Sequence, residues 1–186
     1  MSRRSARSAP AACRWSIPAP DGTDSAFMRW PTFVTGFWLV VLATAAGLAG
    51  GSLYFGDLNQ DEGWYLYAAR LVSEGRLPYI DFASTQAPVV AFVYALAQPL
   101  VDAWGVAGGR AFTAILGILG LFAAAGLAAR MAPAGRGLVA ASIALALAGI
   151  NVYQSYFTTI VKTYSLAGLW LVLGFLALAL AAQRRR

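Results

Sequence analysis

The chain has no histidine, and cysteine occurs once, at Cys13. Those two shortages exclude histidine-based catalytic triads, histidine-based zinc sites, cysteine clusters and internal disulfides. Any ionisable chemistry is left to Asp, Glu, Lys, Arg and Tyr. Charge is scarce as well: 12% of the 186 residues are charged against 59% apolar, and mean hydropathy is +0.62. So little polar surface does not suit an ordinary globular domain, and the chain reads as an integral membrane protein.

Acidic residues are outnumbered by basic ones, 8 to 14, for a net charge of +6. Excess positive charge can signal nucleic acid, but here its placement follows membrane topology. Arg3, Arg4, Arg7, Arg14 and Arg29 precede the first apolar run, Arg130 and Arg136 flank a tight turn, and Arg184, Arg185 and Arg186 close the chain. With four crossings all of these fall on one side, which the positive-inside rule makes cytoplasmic. Nucleic acid is therefore not an expected partner, and both termini are expected in the cytoplasm of a bacterial-type plasma membrane.

Residues 1–30 are rich in Arg, Ser, Ala and Pro without apolar period, and read as a disordered basic cytoplasmic tail. Four runs are long and apolar enough for spans, at about 32–54, 111–129, 137–152 and 165–182, given roughly 20 residues per crossing. The stretch 151–164, polar and aromatic, reads as a return between the last two. The expected fold is an all-α polytopic membrane protein, about four transmembrane helices in a membrane domain 31–186, with one or two interfacial amphipathic helices in an outer loop 55–109.

That loop is the one long segment both polar and patterned. After the carboxylates Asp61 and Glu62, the apolar residues Trp64, Tyr67, Ala68, Leu71 and Val72 recur at helical spacing, and Gly75 with Pro78 marks the stop. A helix over 62–74 is expected to lie along the membrane surface, with Trp64, Tyr67, Leu71 and Val72 toward lipid or the spans. The next apolar segment, 89–104, is interrupted by Gln98, Pro99 and Asp102. It reads as a second interfacial helix, because a proline there disrupts a spanning interior.

Asp61-Glu62-Gly-Trp-Tyr-Leu-Tyr, then Asp81-Phe82, Gln86-Ala87-Pro88 and Gly109-Arg110, together resemble the N-terminal part of the GT-C membrane glycosyltransferases. The likeness is to the protein O-mannosyltransferase and aminoarabinose-transferase type (glycosyltransferase family 39-like), and it covers the chain after residue 30. The resemblance implies a polyprenyl-phosphate sugar as donor, a glycan, lipid or protein as acceptor, and membrane lipid as surroundings. Family members are longer, so the chain is expected to be an N-terminal fragment or a reduced relative. By this resemblance Asp61 is the catalytic base, Glu62 its catalytic neighbour, and Arg110 a basic residue at the outer end of a span.

Each residue keeps a plainer alternative. Asp61 serves as base or as helix N-cap; Glu62 bonds Asp61 or a basic partner, or decorates the first turn. Arg110 and Lys162 bind donor phosphate or anchor span ends at the interface. Tyr65 stacks on substrate or belongs to an aromatic belt; Asp81 and Gln86 orient the acceptor or form turns. The acids are not spaced as a metal motif, so no metal or other cofactor is required, although some relatives use a divalent metal. The expected sidedness is checked by cysteine labelling in intact cells: a cysteine at Ser73 should react with an impermeant thiol reagent and one at Gly135 should not.

Overall fold

In a computed structural model the described residues are 32–55 and 59–184, so the expected tail, together with Arg185 and Arg186, lies outside them. Eight helices are found among the described residues: α1 (Thr32–Phe55), α2 (Gln60–Ser73), α3 (Pro88–Ala95), α4 (Gln98–Trp104), α5 (Val106–Met131), α6 (Gly137–Gly149), α7 (Val152–Thr159) and α8 (Thr163–Arg184). The spans of 22, 26 and 22 residues within α1, α5 and α8 are long and apolar enough to cross a membrane. At a rise of about 1.5 Å per residue each covers the ~30 Å of hydrocarbon. The pair α6 and α7 makes a fourth crossing if counted as one span bent by 71°. The protein is an all-α polytopic membrane protein.

The bend falls where the expected span 137–152 gives way to the expected return 151–164. Asn151 begins a new helix because its side chain accepts the amide of Gln154, satisfying a donor that a helix start leaves free. Residues 152–159 are thus helical, and the polar, aromatic sequence forms the second half of the bent pair. Helix α5 is the hub, packing along α8 and α6 and against α4 and α7. One apolar core joins α1, α5 and α6 through Val41, Leu121, Ala125, Ala141 and Leu145. A second lies beneath α2 and α3, where Leu66, Ala69, Val90 and Tyr94 meet Leu116, Val161 and Leu166.

Helix α2 is punctuated at both ends by side chains and backbone of its own sequence. Asn59 is the N-cap and accepts from the Asp61 amide, while Glu62 reaches back to the Asn59 amide, forming a capping box. The cap is therefore Asn59, not Asp61. At the other end Gly75 takes φ +86°, and the amides of Gly75 and Arg76 bond the carbonyls of Val72 and Leu71, a Schellman closure. The buried face of α2 consists of Glu62, Leu66, Ala69 and Leu71. Of the residues expected toward lipid or the spans, Leu71 is buried while Trp64 and Tyr67 are half exposed, at 50% and 59%, on the open side of the helix. Glu62, whose side chain points inward, belongs to the buried face with Leu71.

The expected second interfacial helix is two short ones, broken at Leu96 and Ala97, with Pro99 in the first turn of α4 where its missing N–H costs nothing. Helix α4 crosses the start of α5 closely enough that a Cβ on Gly108 would lie 2.0 Å from the Leu100 carbonyl oxygen. That obstacle is backbone and cannot rotate away. Gly108→Ala should therefore lower thermal stability in detergent by roughly 1–3 kcal/mol or more, the usual cost of overpacking. Gly126→Ala on the same helix, where a Cβ would meet nothing within 4 Å, should be neutral or slightly stabilising, since alanine is the better helix former. Equal Tm shifts for the two would show that the α4–α5 crossing is not as close as described.

Candidate functional site

The adjacent acids at the start of α2 point in different directions and do different work. Successive helical residues are about 100° apart, so one faces the bundle and the other the outside. Glu62 is fully buried and meets Arg110, itself 3% exposed, in a bidentate pair: Nε to Oε1 at 2.8 Å and Nη2 to Oε2 at 2.6 Å. The same carboxylate accepts the Val161 amide at 3.0 Å and the Asn59 amide at 3.1 Å. Arg110 also donates from Nη1 to the carbonyls of Ser52 at 3.3 Å and Leu53 at 3.5 Å. One ion pair thereby ties the end of α1, the start of α2, α5 and the segment before α8.

Burial on its own would raise the pKa of Glu62, but the Arg110 guanidinium and the Val161 and Asn59 amides outweigh it and hold the carboxyl below its ordinary value of 4.5. A proton-accepting role is not what this environment favours. Every hydrogen bond made to the carboxylate stabilises its charged form.

Asp61 has the opposite setting. Its side chain is 52% exposed, and its Oδ2 lies 2.8 Å from Nζ of Lys162. The hydrogen bond from Lys162 to Asp61 raises the lysine's pKa, so the ammonium stays charged at neutral pH. The lysine's backbone is held on both sides: the preceding amide, Val161, donates to Glu62, and the Lys162 carbonyl accepts from the hydroxyl of Tyr94 at 3.1 Å. Tyr94 is completely buried, shares a hydrogen bond of 2.9 Å with Thr113, and has its pKa pushed up to about 12, chiefly by burial. Its hydroxyl is thus a permanent donor. The Tyr164 ring centroid lies 6.0 Å from the Lys162 ammonium.

Tyr65 lies one turn after Asp61 and so shares its side of α2. Burial, then the negative field of Asp61, raises its pKa. Beyond it a shallow surface hollow is lined by Trp64, Tyr65, Ser84, Gln86 and Val90, among others. Asp61, Tyr65, Lys162 and Gln86 consequently form one continuous patch at one end of the bundle.

The chain matches no family model, and no curated protein or solved structure is significantly similar to it.

The remaining candidates fall apart from this patch. Asp81 accepts the Leu77 amide at 2.7 Å and closes the turn after α2. The turn includes Tyr79 at φ +66°, whose hydroxyl donates to the Gln86 carbonyl. Arg110 is separated from the exposed patch because its guanidinium is buried on Glu62. Among the described residues no three of His, Cys, Asp and Glu come together to hold a metal. Two parts of the site escaped the sequence reading. Asn59 was legible as a capping-box signal, Asn followed three residues on by Glu; Tyr94 sits in a short apolar helix and carries no local sign of its role.

The two acids predict separable defects. Arg110→Ala strands a buried carboxylate and should cost about 3–5 kcal/mol, while Asp61→Asn breaks only an exposed pair and should cost at most ~1 kcal/mol. Because the folded-state pKa of Glu62 is depressed, its contribution is full above the unfolded value near 4.5 and is lost as pH falls through the lower folded value. Apparent Tm in detergent from pH 7 to pH 3 should fall steeply only below about pH 4.5, and Glu62→Gln should flatten that part of the curve. An unchanged slope in Glu62→Gln would remove this carboxyl as its source.

Proposed function

We propose that the protein is a GT-C-like membrane glycosyltransferase, or the N-terminal part of one. It transfers a sugar from a polyprenyl phosphate to a hydroxyl of a glycan, lipid or protein acceptor. The observation that carries this reading is the exposed Asp61 carboxylate 2.8 Å from the Lys162 ammonium, beside a hollow lined by Tyr65 and Gln86 and immediately before a membrane span. Such a transfer needs a base for the acceptor proton and positive charge for the departing phosphate, and these are the two groups placed together.

In this mechanism Asp61 takes the proton from the acceptor hydroxyl as its oxygen bonds the sugar's anomeric carbon. The bond from that carbon to the phosphate oxygen breaks, the electron pair leaves with the phosphate, and Lys162 balances the charge. Tyr65 supplies a ring face for sugar or lipid, and Gln86 an amide for the acceptor. Glu62 and Arg110 are positioning residues, since they hold α2 and the lysine's segment in place and touch neither substrate. No metal enters this scheme. In this reading the patch faces the exoplasmic side of a bacterial-type plasma membrane with both termini cytoplasmic, an orientation supported by the arginine distribution.

A second reading, a non-catalytic membrane scaffold or partner subunit, is favoured by the shape of the hollow. Shallow and open to the outside, it lacks the enclosed volume of an ordinary small-molecule site, which suits a surface completed by another chain.

Transfer from a radiolabelled polyprenyl-phosphate sugar decides between them, measured in membranes and normalised to protein amount. Asp61→Asn keeps size and much of the polarity but cannot act as a base, and should reduce transfer by about 10² to 10⁴ with expression nearly intact. Wild-type transfer in Asp61→Asn takes Asp61 out of the mechanism. No transfer by the unaltered protein with any such donor favours the scaffold.

A further inference from the structure

Of the two ion pairs that open α2, one is fixed and the other is made to exchange. Glu62 and Arg110 are joined twice, their side chains are 1% and 3% exposed, and the carboxylate holds two further backbone amides. Nothing from outside reaches that pair without dismantling the end of the bundle. Asp61 and Lys162 are joined by a single contact of 2.8 Å, with the carboxylate 52% exposed and the lysine side chain 17% exposed, so the pair opens to the outside through Asp61. Exposed pairs of this kind contribute little and re-form easily. The backbone on which the lysine stands is nevertheless rigid, pinned through Val161 to Glu62 and through its own carbonyl to Tyr94. Its four-carbon arm therefore carries a single charge on a fixed base.

The next residue, Thr163, begins a membrane span, so this cation stands at a span end, the level at which lipid phosphates lie. An anion carried by a lipid is concentrated there, and one free in solution is not. We propose that Asp61 occupies the anion position of Lys162 in the unliganded protein, and that a phosphate-bearing amphiphile takes this position by displacing the carboxylate. The proposal rests on the glycosyltransferase reading for what the amphiphile carries, but not for the exchange itself. Its consequence is an order of events. Asp61 is bound to the lysine until the phosphate arrives, and is released toward the acceptor only when the donor is in place. An acceptor that binds first meets a carboxylate already engaged.

The exchange is tested by binding, with no turnover. Dodecyl phosphate is titrated into the purified full chain in a non-ionic detergent, followed by calorimetry. Removing the competing carboxylate should tighten binding: Kd for Asp61→Asn should fall by about two- to fivefold, the free energy of one exposed ion pair, and Asp61→Ala should behave alike. Lys162→Gln should abolish saturable binding, Arg70→Gln should leave it unchanged, and inorganic phosphate should bind far more weakly than the amphiphile. Unchanged or weaker binding in both Asp61 variants overturns the exchange, and so does binding that survives Lys162→Gln. Equal affinity for inorganic phosphate overturns the lipid as its source. Absence of sugar transfer in the earlier assay leaves these affinities as they are, so the two readings fail separately.

Discussion

A carboxylate and a guanidinium buried together at one end of the bundle govern where its other parts can sit. Taking both charges out of water costs several kcal/mol each, and their attraction offsets that only if the remaining lone pairs and protons also find partners. Here they do. Glu62 accepts from Arg110 twice and from the Asn59 and Val161 amides, and Arg110 reaches two carbonyls at the end of α1. Residues 52–62, Arg110 and Val161, three stretches far apart in sequence, thereby share one set of hydrogen bonds. Apolar packing alone would tolerate sliding among helices whose contact surfaces are rich in alanine and leucine; a bidentate pair with fixed geometry does not.

From that constraint the rest of the patch follows. With Glu62 turned inward, helical geometry directs Asp61 about 100° away, and the same carboxylate fixes the residue before Lys162. A single buried group thus sets the positions of both members of the exposed pair. The division also separates two kinds of stability. The buried pair gains from holding its geometry and loses if either member is removed, whereas the exposed pair is worth little to the fold and can be given over to a ligand. Neighbouring acids in a sequence need not be partners; here one maintains the frame and the other faces what lies outside it.

Much of the fold could be read in the sequence because hydrophobic runs of span length and the stop at Gly75 are local signals. The spans of α1, α5 and α8 and the end of α2 were legible, and the segment before α5 was legible as helical though not as two helices. What was not legible depends on distant residues. Which face of α2 is buried depends on Glu62 meeting Arg110, 48 positions away, and apolar periodicity carries no sign of that pair. The bend between α6 and α7 was read as a loop because its residues are polar, yet the cap at Asn151 restarts the helix. Asp61 was weighed as an N-cap on its residue type; Asn59, two positions earlier, holds that position with Glu62 as its reciprocal partner. The pairing of Asp61 with Lys162 joins residues a hundred positions apart, and nothing local announces it.

The exposed aromatic residues around the patch give it a physical context that the two charges alone would not. Trp64, Tyr67, Tyr79 and Tyr164 are each about half exposed, a mixture of ring and polar tip suited to the level where water meets lipid. A carboxylate at that level can meet a hydroxyl from the aqueous side, and a cation beside it can meet a phosphate from the bilayer side. The same two groups in a closed cavity would pair with each other and stay paired. Their partial exposure is therefore not a failure of packing: it is what leaves the pair open to competition while Glu62 and Arg110, a residue away on α2 and at the head of α5, remain out of reach.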